Sequence, residues 1–206
     1  MFRDKFIFTV VFISLMFCGC GKCQHARGKI QSLAISDDGK WLVSAFEVQE
    51  KACLWDIETS KVIRRFDIDG GVLSLAMTED KRRLIALSAS DINVMELETG
   101  KQLSKCEIRK VDKPLAWSTV ACNVDDNRVF YCSGTEAFCL DLPNCKEVGR
   151  FQGHTKAVRC IVLSRDGNVL ATASDDHSVR IWEAGTGKEL RVFDCSKDES
   201  DRKSVV

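Results

Sequence analysis

The chain has 206 residues, and its 30 Lys and Arg residues balance 30 Asp and Glu residues, so its formal net charge is zero. This length allows one or two ordinary domains, and a hydrophobic fraction of 45% is sufficient for a folded core. A balanced charge gives no electrostatic reason to expect a nucleic acid as partner. With only 2 prolines, the chain has no long proline-rich linker.

The first 23 residues differ in character from the rest. Arg3 and Lys5 precede FIFTVVFISLMF, an uncharged run at residues 6–17. A positive segment followed by a short apolar one is typical of an export signal. Because a membrane-spanning helix usually needs about 17–25 apolar residues, the run is short for a stable span. We therefore expect an exported protein, with an uncleaved N-terminal membrane anchor as the alternative.

The sequence LMFCGCGKC that follows resembles a bacterial lipobox, in which small residues precede a cysteine that receives lipid. Gly19 before Cys20 fits this pattern, whereas Phe17 stands where the motif usually has Leu. The resemblance implies lipidation at Cys20 and a periplasmic or membrane-tethered protein. A metal cluster of Cys18, Cys20 and Cys23 is disfavoured because no second ligand pair follows at zinc-finger spacing.

Four segments then recur at intervals of about forty residues, which predicts an array of repeats or a propeller. They are IQSLAIS, VLSLAMT, WSTVACN and VRCIVLS, beginning at Ile30, Val72, Trp117 and Val158. Side chains alternate with a period of two in each segment, and apolar residues stand on both faces. Each segment is therefore predicted to be a strand that is buried on both sides.

Three more predicted strands complete each copy. A turn rich in Asp, Asn and Gly leads to a second strand, as in WLVSA and VLATA. The third strand carries a large apolar residue followed by an acid, and the large residues are Trp55, Met95, Leu140 and Trp182. Short fourth strands end the copies, as in VIRRF and ELRVF.

A four-stranded antiparallel unit cannot cover its own two faces, but stacking the units as blades buries them. The sequence therefore predicts an all-β fold of four blades over residues 24–193, with a β-sandwich as the weaker alternative. After Phe193 the sequence is polar and without period, which predicts a disordered tail at residues 194–206.

The fourth copy resembles a WD40 repeat, because it begins with Gly153-His154 and ends with Trp182-Glu183. This resemblance implies a propeller in which one blade holds a buried chain of hydrogen bonds. The matching positions are His154, Thr172, Asp176 and Trp182. These residue types suit the task, since Trp can only donate, Asp can only accept, and His and Thr can do both.

The other copies depart from the WD40 pattern. The first has Trp55 but no Gly-His pair, and the second has Asp91 but Met95 in place of Trp. The third has neither the His nor the Trp. We expect these three blades to rely on apolar packing more than on a polar chain.

Four copies leave the completeness of the ring open. An incomplete ring has uncovered faces that favour association, so two chains could pair their arcs as a homo-oligomer. Four blades could also close by themselves. The third alternative is that the chain is a fragment of a longer WD40 protein.

Motifs for catalysis and for phosphate or metal binding, such as Gly-x-Ser-x-Gly and His-Glu-x-x-His, do not occur in the sequence. We expect no cofactor and no metal site. His177 lies in SDDHS, which is predicted to be a solvated turn. The acid pairs Asp37-Asp38, Asp125-Asp126 and Asp175-Asp176 are predicted to occupy equivalent turns, where a structural role is favoured over catalysis.

The predicted function is therefore that of a non-catalytic scaffold for a protein or peptide partner. In the WD40 family, contacts lie mostly on the loops between blades and between second and third strands. This resemblance implies Lys156 and Asp175 as candidate contacts. The rival hypothesis is an enzyme on a propeller scaffold. It is disfavoured because the first strands offer only small, neutral side chains toward a channel: Ser32, Ser74, Thr119 and Cys160.

Overall fold

The computed structural model describes residues 30–46, 51–78, 80–108, 119–123, 127–142 and 144–197. The chain divides into two compact units, residues 1–109 and residues 110–206. Each unit contains two four-stranded antiparallel sheets. The predicted export segment, including Cys20, lies outside the described residues.

In the first unit, the strands of each sheet follow one another in chain order. The first sheet consists of β1 (Ile30–Ile35), β2 (Trp41–Phe46), β3 (Lys51–Asp56) and β4 (Lys61–Asp67). The second sheet consists of β5 (Ser74–Met77), β6 (Arg83–Leu87), β7 (Asp91–Glu96) and β8 (Gln102–Glu107).

The second unit repeats this arrangement. The third sheet consists of β9 (Val120–Asn123), β10 (Arg128–Ser133), β11 (Glu136–Asp141) and β12 (Lys146–Gln152). The fourth sheet consists of β13 (Val158–Leu163), β14 (Val169–Ser174), β15 (Ser178–Glu183) and β16 (Glu189–Asp194). The predicted all-β fold of four repeated four-stranded units is confirmed.

A bulge recurs at the same place in every sheet. The pairing between third and fourth strands shifts register immediately before the large apolar residue of the third strand. These residues are Trp55, Met95, Leu140 and Trp182. A bulge bends its strand and redirects the neighbouring side chains. The sequence repeat is therefore also a repeat of backbone geometry.

The turn between first and second strands is held by a short polar motif. In the first sheet, the Ser36 hydroxyl donates to the Asp38 carboxylate at 2.7 Å and accepts the Trp41 amide at 2.9 Å. The fourth sheet repeats this with Ser164 and Asp166 at 2.5 Å. Such hydrogen bonds from side chains to nearby backbone groups replace the backbone bonds between strands where the strand ends.

The prediction that the acid pairs occupy equivalent turns is wrong. Asp37-Asp38 lies between β1 and β2, whereas Asp175-Asp176 lies between β14 and β15, at the opposite end of its sheet. Because antiparallel strands reverse direction at each turn, first and second turns stand at opposite ends. Asp125-Asp126 lies outside the described residues.

In each unit, a hydrophobic cluster is buried between the two sheets. In the first unit, side chains of the first sheet such as Leu54 and Phe66 pack against Leu84 and Met95 of the second. In the second unit, Phe130 and Phe151 of the third sheet pack against Leu170 and Trp182 of the fourth. The second sheet therefore covers the first with the face that carries Met95, and the fourth sheet covers the third with the face that carries Trp182.

Residues 194–197, which the sequence placed in a disordered tail, have defined secondary structure. Asp194 is the last residue of β16, and Cys195–Lys197 form a 3-10 turn. The Asp194 carboxylate accepts the Ser196 amide at 3.0 Å, and the Cys195 amide donates to the His177 carbonyl at 2.8 Å. These bonds order the segment despite its polar sequence. Residues 198–206 lie outside the described residues.

Within the part of the chain that the structure describes, no helix has the length and apolar character needed to cross a membrane.

Candidate functional site

The four residues predicted to form a hydrogen-bond chain lie together inside the fourth sheet. The Trp182 indole Nε1 donates to Thr172 Oγ1 at 2.8 Å. Thr172 Oγ1 lies 2.8 Å from His154 Nε2, and His154 Nδ1 lies 2.8 Å from Asp176 Oδ2. Trp182 and Thr172 are each 1% exposed. The chain of hydrogen bonds therefore runs from Trp182 in the core to Asp176 in the turn before β15.

The indole fixes the direction of the first bond in this chain. Because the indole only donates, Thr172 Oγ1 accepts from Trp182. The contacts from Thr172 Oγ1 to His154 Nε2 and from His154 Nδ1 to Asp176 Oδ2 continue the chain outward. Every member of the buried chain therefore has a hydrogen-bond partner. A fully satisfied network of this kind rigidifies its surroundings.

Asp176 anchors the outer end of the chain. Burial by itself raises the pKa of this carboxyl, but hydrogen bonds from the Ser178 hydroxyl, the Thr155 amide and His154 outweigh it and hold the pKa well below its usual value. The Ser178 hydroxyl donates to Asp176 Oδ1 at 2.7 Å, and the Thr155 amide donates to Oδ2 at 3.0 Å. Asp176 thus ties the loop before β13 to the turn before β15.

Gly153, which precedes His154, lies close to the ends of two charged side chains. A Cβ at Gly153 would lie 2.5 Å from Arg180 Nη1 and 3.2 Å from Glu189 Oε2. Arg180 and Glu189 form an ion pair on the neighbouring strands β15 and β16. Gly153 therefore lies close to this ion pair, and the imidazole of His154 enters the interior.

The first sheet retains two members of the chain. The Trp55 indole Nε1 donates to Ser44 Oγ at 2.9 Å, and Ser44 stands two residues after Leu42 as Thr172 stands two residues after Leu170. The sequence analysis did not single out Ser44. The signal was present, because WLVSA and VLATA carry a hydroxyl at the same position.

In the second and third sheets, apolar or aromatic residues replace the polar chain. The registers place Ala86 and Met95 of the second sheet at the positions of Thr172 and Trp182. The third sheet has Tyr131 and Leu140 there. Asp91 does not replace Asp176, since it is the first residue of β7 and lies on a strand instead of in the preceding turn.

The loop end of the fourth sheet, residues 153–159 and 174–178, brings the candidate contacts Lys156 and Asp175 together. The Ser174 hydroxyl donates to the Lys156 carbonyl at 3.0 Å, and the Asp175 amide donates to the Ala157 carbonyl at 3.0 Å. Arg159, which the sequence analysis missed, donates to both oxygens of Asp175.

The Asp175 and Arg159 side chains form an exposed ion pair at the loop end. The hydrogen bond from Arg159 is the main cause that lowers the pKa of Asp175. The two side chains are 41% and 44% exposed, and Lys156 is exposed beside them. His177 is also exposed and has a φ of 65°, as the predicted solvated turn requires. The loop end therefore presents both signs of charge on a fixed backbone.

Among the described residues, no group of three or more His, Cys, Asp or Glu side chains is placed to hold a metal ion. A cleft of about 610 Å³ opens at the rim of the first and second sheets, with Trp41, Lys81 and Glu96 among its lining residues. The Lys81 ammonium lies 5.6 Å from the centre of the Trp41 ring and pairs with Asp38. These contacts join the two sheets of the first unit.

Repeated four-stranded antiparallel sheets, each with a bulge before a large apolar residue of its third strand, define a protein of propeller-type blades. The WD40 family model, described as WD domain, G-beta repeat, matches residues 19–56 and 145–183. The first match covers β1–β3 and begins within the predicted export segment, so that it includes Cys20. The second covers β12–β15 and contains the whole polar chain.

Three of the curated relatives match most of this chain, and the first of them is a WD-repeat protein by name. A WD repeat-containing protein WDS homolog of Arabidopsis thaliana is 29% identical over 76% of this chain and 30% of its own length. The serine-threonine kinase receptor-associated protein of Gallus gallus is 24% identical over 86% of the chain and 49% of its own length. Protein groucho of Drosophila melanogaster is 28% identical over 86% of the chain and 26% of its own length.

The family model and these relatives support the WD40 repeat family for the chain. The chain spans between 26% and 49% of the length of these curated relatives.

Proposed function

We propose that the chain is a non-catalytic scaffold of WD40 repeats that binds a protein or peptide at the loop end of the fourth sheet. The observation that carries this proposal is the exposed cluster of Lys156, Arg159 and Asp175 on a backbone that the buried polar chain holds in place. A preformed surface loses little conformational freedom on binding, which favours recognition of a partner.

The rigidity of the loop end has a specific origin. Asp176 accepts bonds from the loop before β13 and from the start of β15, and its neighbour Asp175 is bonded through its backbone to Ala157. The exposed charges therefore start from fixed Cα positions. Mixed charges on such a surface give specificity and orientation to a partner of complementary charge.

The similar proteins provide a coarser argument for a binding role. The name of the Gallus gallus relative describes that protein as associated with a serine-threonine kinase receptor. By analogy, we propose a protein partner for this chain, identified here only by its complementary mixed charge.

The proposal is tested by affinity purification of the chain from its own cells with quantitative mass spectrometry. We expect the double variant Lys156→Glu, Asp175→Lys to recover about tenfold less partner than the wild type, because reversed charges repel a complementary surface. Lys188→Glu is the matched control, since Lys188 is exposed at the opposite end of the sheet. Equal recovery by the double variant and the wild type would refute the proposal.

We also propose, on the sequence pattern alone, that residues 1–23 direct export and that Cys20 carries a lipid. Membrane fractionation of cells tests this, with Cys20→Ser as the variant and Cys23→Ser as its control. We expect Cys20→Ser to leave the membrane fraction while Cys23→Ser stays in it. Identical fractionation of the two variants would refute lipidation at Cys20.

A further inference from the structure

One face of the fourth sheet is apolar, and none of the residues that the structure describes covers it. Cross-strand neighbours Cys160, Ala173, Val179 and Phe193 form one row on this face. Val162, Ala171, Ile181 and Arg191 form the next row. Phe193 is 50% exposed, Val162 is 47% exposed, and no residue of either row is buried. An apolar face of this kind usually marks an interaction site.

The first sheet carries a face of the same composition. Its equivalent rows are Ser32, Ala45, Ala52 and Phe66, and Ala34, Val43, Leu54 and Arg64. There the face is covered, because Ala45, Val43 and Phe66 are at most 1% exposed. The covering residues belong to the second sheet and include Leu75, Leu84 and Met95. The first unit therefore shows what kind of surface fits the uncovered face.

Polar contacts at the edges of the covered face specify how the covering sheet lies. The Leu75 amide donates to Ser32 Oγ at 3.0 Å, and Arg64 Nη1 donates to the Thr99 carbonyl at 2.9 Å. On the uncovered face, Cys160 stands in the place of Ser32 and Arg191 in the place of Arg64. Arg191 is exposed, so its guanidinium is available for a carbonyl of an incoming sheet.

The second sheet covers its neighbour with the face that carries Leu84 and Met95, and the fourth sheet does so with Leu170 and Trp182. The first sheet has the same face in the row Ile35, Leu42 and Trp55. This row is less buried than its equivalents, since Ile35 is 47% exposed and Trp55 is half-buried, against 1% for Trp182.

We propose that the uncovered face of the fourth sheet receives the Trp55 face of the first sheet of a second copy of this chain. In this contact the Arg191 guanidinium donates to the Thr59 carbonyl of the second copy, because Thr59 occupies the place in its turn that Thr99 occupies in the second sheet. The contact joins two different surfaces, so it is heterologous, and each copy offers one surface of each kind.

Light scattering after size exclusion tests the proposal with the full chain, purified in mild detergent because residues 6–17 are apolar. We expect concentration-dependent self-association that Phe193→Asp weakens at least about tenfold, because a carboxylate would be buried without a partner. Val192→Asp is the matched control. Val192 is the neighbouring residue on β16, points to the opposite face and is 44% exposed. Circular dichroism confirms that both variants fold.

A second variant distinguishes this contact from a contact between two identical faces. Ile35→Asp alters the Trp55 face and leaves the uncovered face intact. We expect Ile35→Asp and Phe193→Asp each to lose association, and an equimolar mixture of the two to regain it through the one undamaged pair of surfaces. A monomeric wild type, an unaffected Ile35→Asp variant, or a mixture that does not associate would each overturn the proposal. Partner recovery through the loop end is measured separately and does not depend on these results.

Discussion

Thr172 joins the two halves of the polar chain, because its single hydroxyl accepts from Trp182 and is hydrogen-bonded to His154 Nε2. At this position the side chain is 1% exposed, so no water replaces a bond that is lost. Ser44 has a simpler task in the first sheet, where it accepts one bond from the half-buried Trp55. The hydrogen bond from the indole to the hydroxyl is therefore expected to contribute more to stability in the fourth sheet than in the first.

Thr172→Val keeps the shape of the side chain and removes its hydroxyl. We expect a loss of about 1–3 kcal/mol in the free energy of unfolding, because the indole N–H and His154 Nε2 are left buried without partners. Ser44→Ala is the matched control, with an expected loss of about 1 kcal/mol or less. Urea unfolding measures both. Equal losses in the two variants would contradict a continuous chain in the fourth sheet.

Asp176 makes stability depend on acid pH. Its pKa is depressed in the folded state, so its contribution is fully present above the unfolded value of about 3.9 and is lost as pH falls through the folded pKa. Asp176→Asn cannot titrate and forfeits that contribution. We expect wild type to exceed Asp176→Asn in urea midpoint at pH 7, with a gap that narrows as the pH falls below 4. A gap that is constant from pH 7 to pH 3 would show that the carboxylate charge contributes nothing.

The turn between β15 and β16 depends on Gly187. Gly187 has a φ of 75°, and a Cβ there would lie 2.9 Å from the Arg150 carbonyl oxygen of β12. Gly185, two residues earlier in the same turn, has nothing within 4 Å of an added Cβ.

Gly187→Ala therefore places a side chain in a left-handed conformation and against fixed backbone. We expect it to lower the free energy of unfolding by at least about 1–2 kcal/mol, whereas Gly185→Ala should change it by less than about 0.5 kcal/mol. Thermal unfolding of the two variants provides the comparison. If Gly185→Ala proved the more damaging, the placement of this turn would be wrong.

The strands and their order were predictable from the sequence because period-two alternation and turn residues are local signals. The bulge before Trp182 was not, since it depends on how β15 pairs with β16. Likewise, Asp91 resembled Asp176 in sequence, but Asp91 is the first residue of β7, where Ser178 is the first residue of β15, so it lies on the strand and not in the turn. The order at Asp194–Lys197 was missed because it rests on bonds to Ser196 and to the distant His177.

At the scale of the molecule, the repeat explains why members of the polar chain could be named from the sequence. Gly153-His154 and Trp182 are specific to one repeat pattern, and the structure brings their side chains together. Arg159 could not be named, because its role follows from its position across the strand end from Asp175. Charged surface residues have no periodic signal that separates a contact from ordinary solvated charge.

Hydrogen exchange of the chain, with and without the partner recovered by affinity purification, tests the scaffold account most directly. The account predicts new protection of amides in residues 155–159 and 174–178, with the strands of the fourth sheet unchanged, because the partner binds a preformed loop end. Protection confined to the opposite end of the sheet, at residues 164–168 and 184–188, would contradict it.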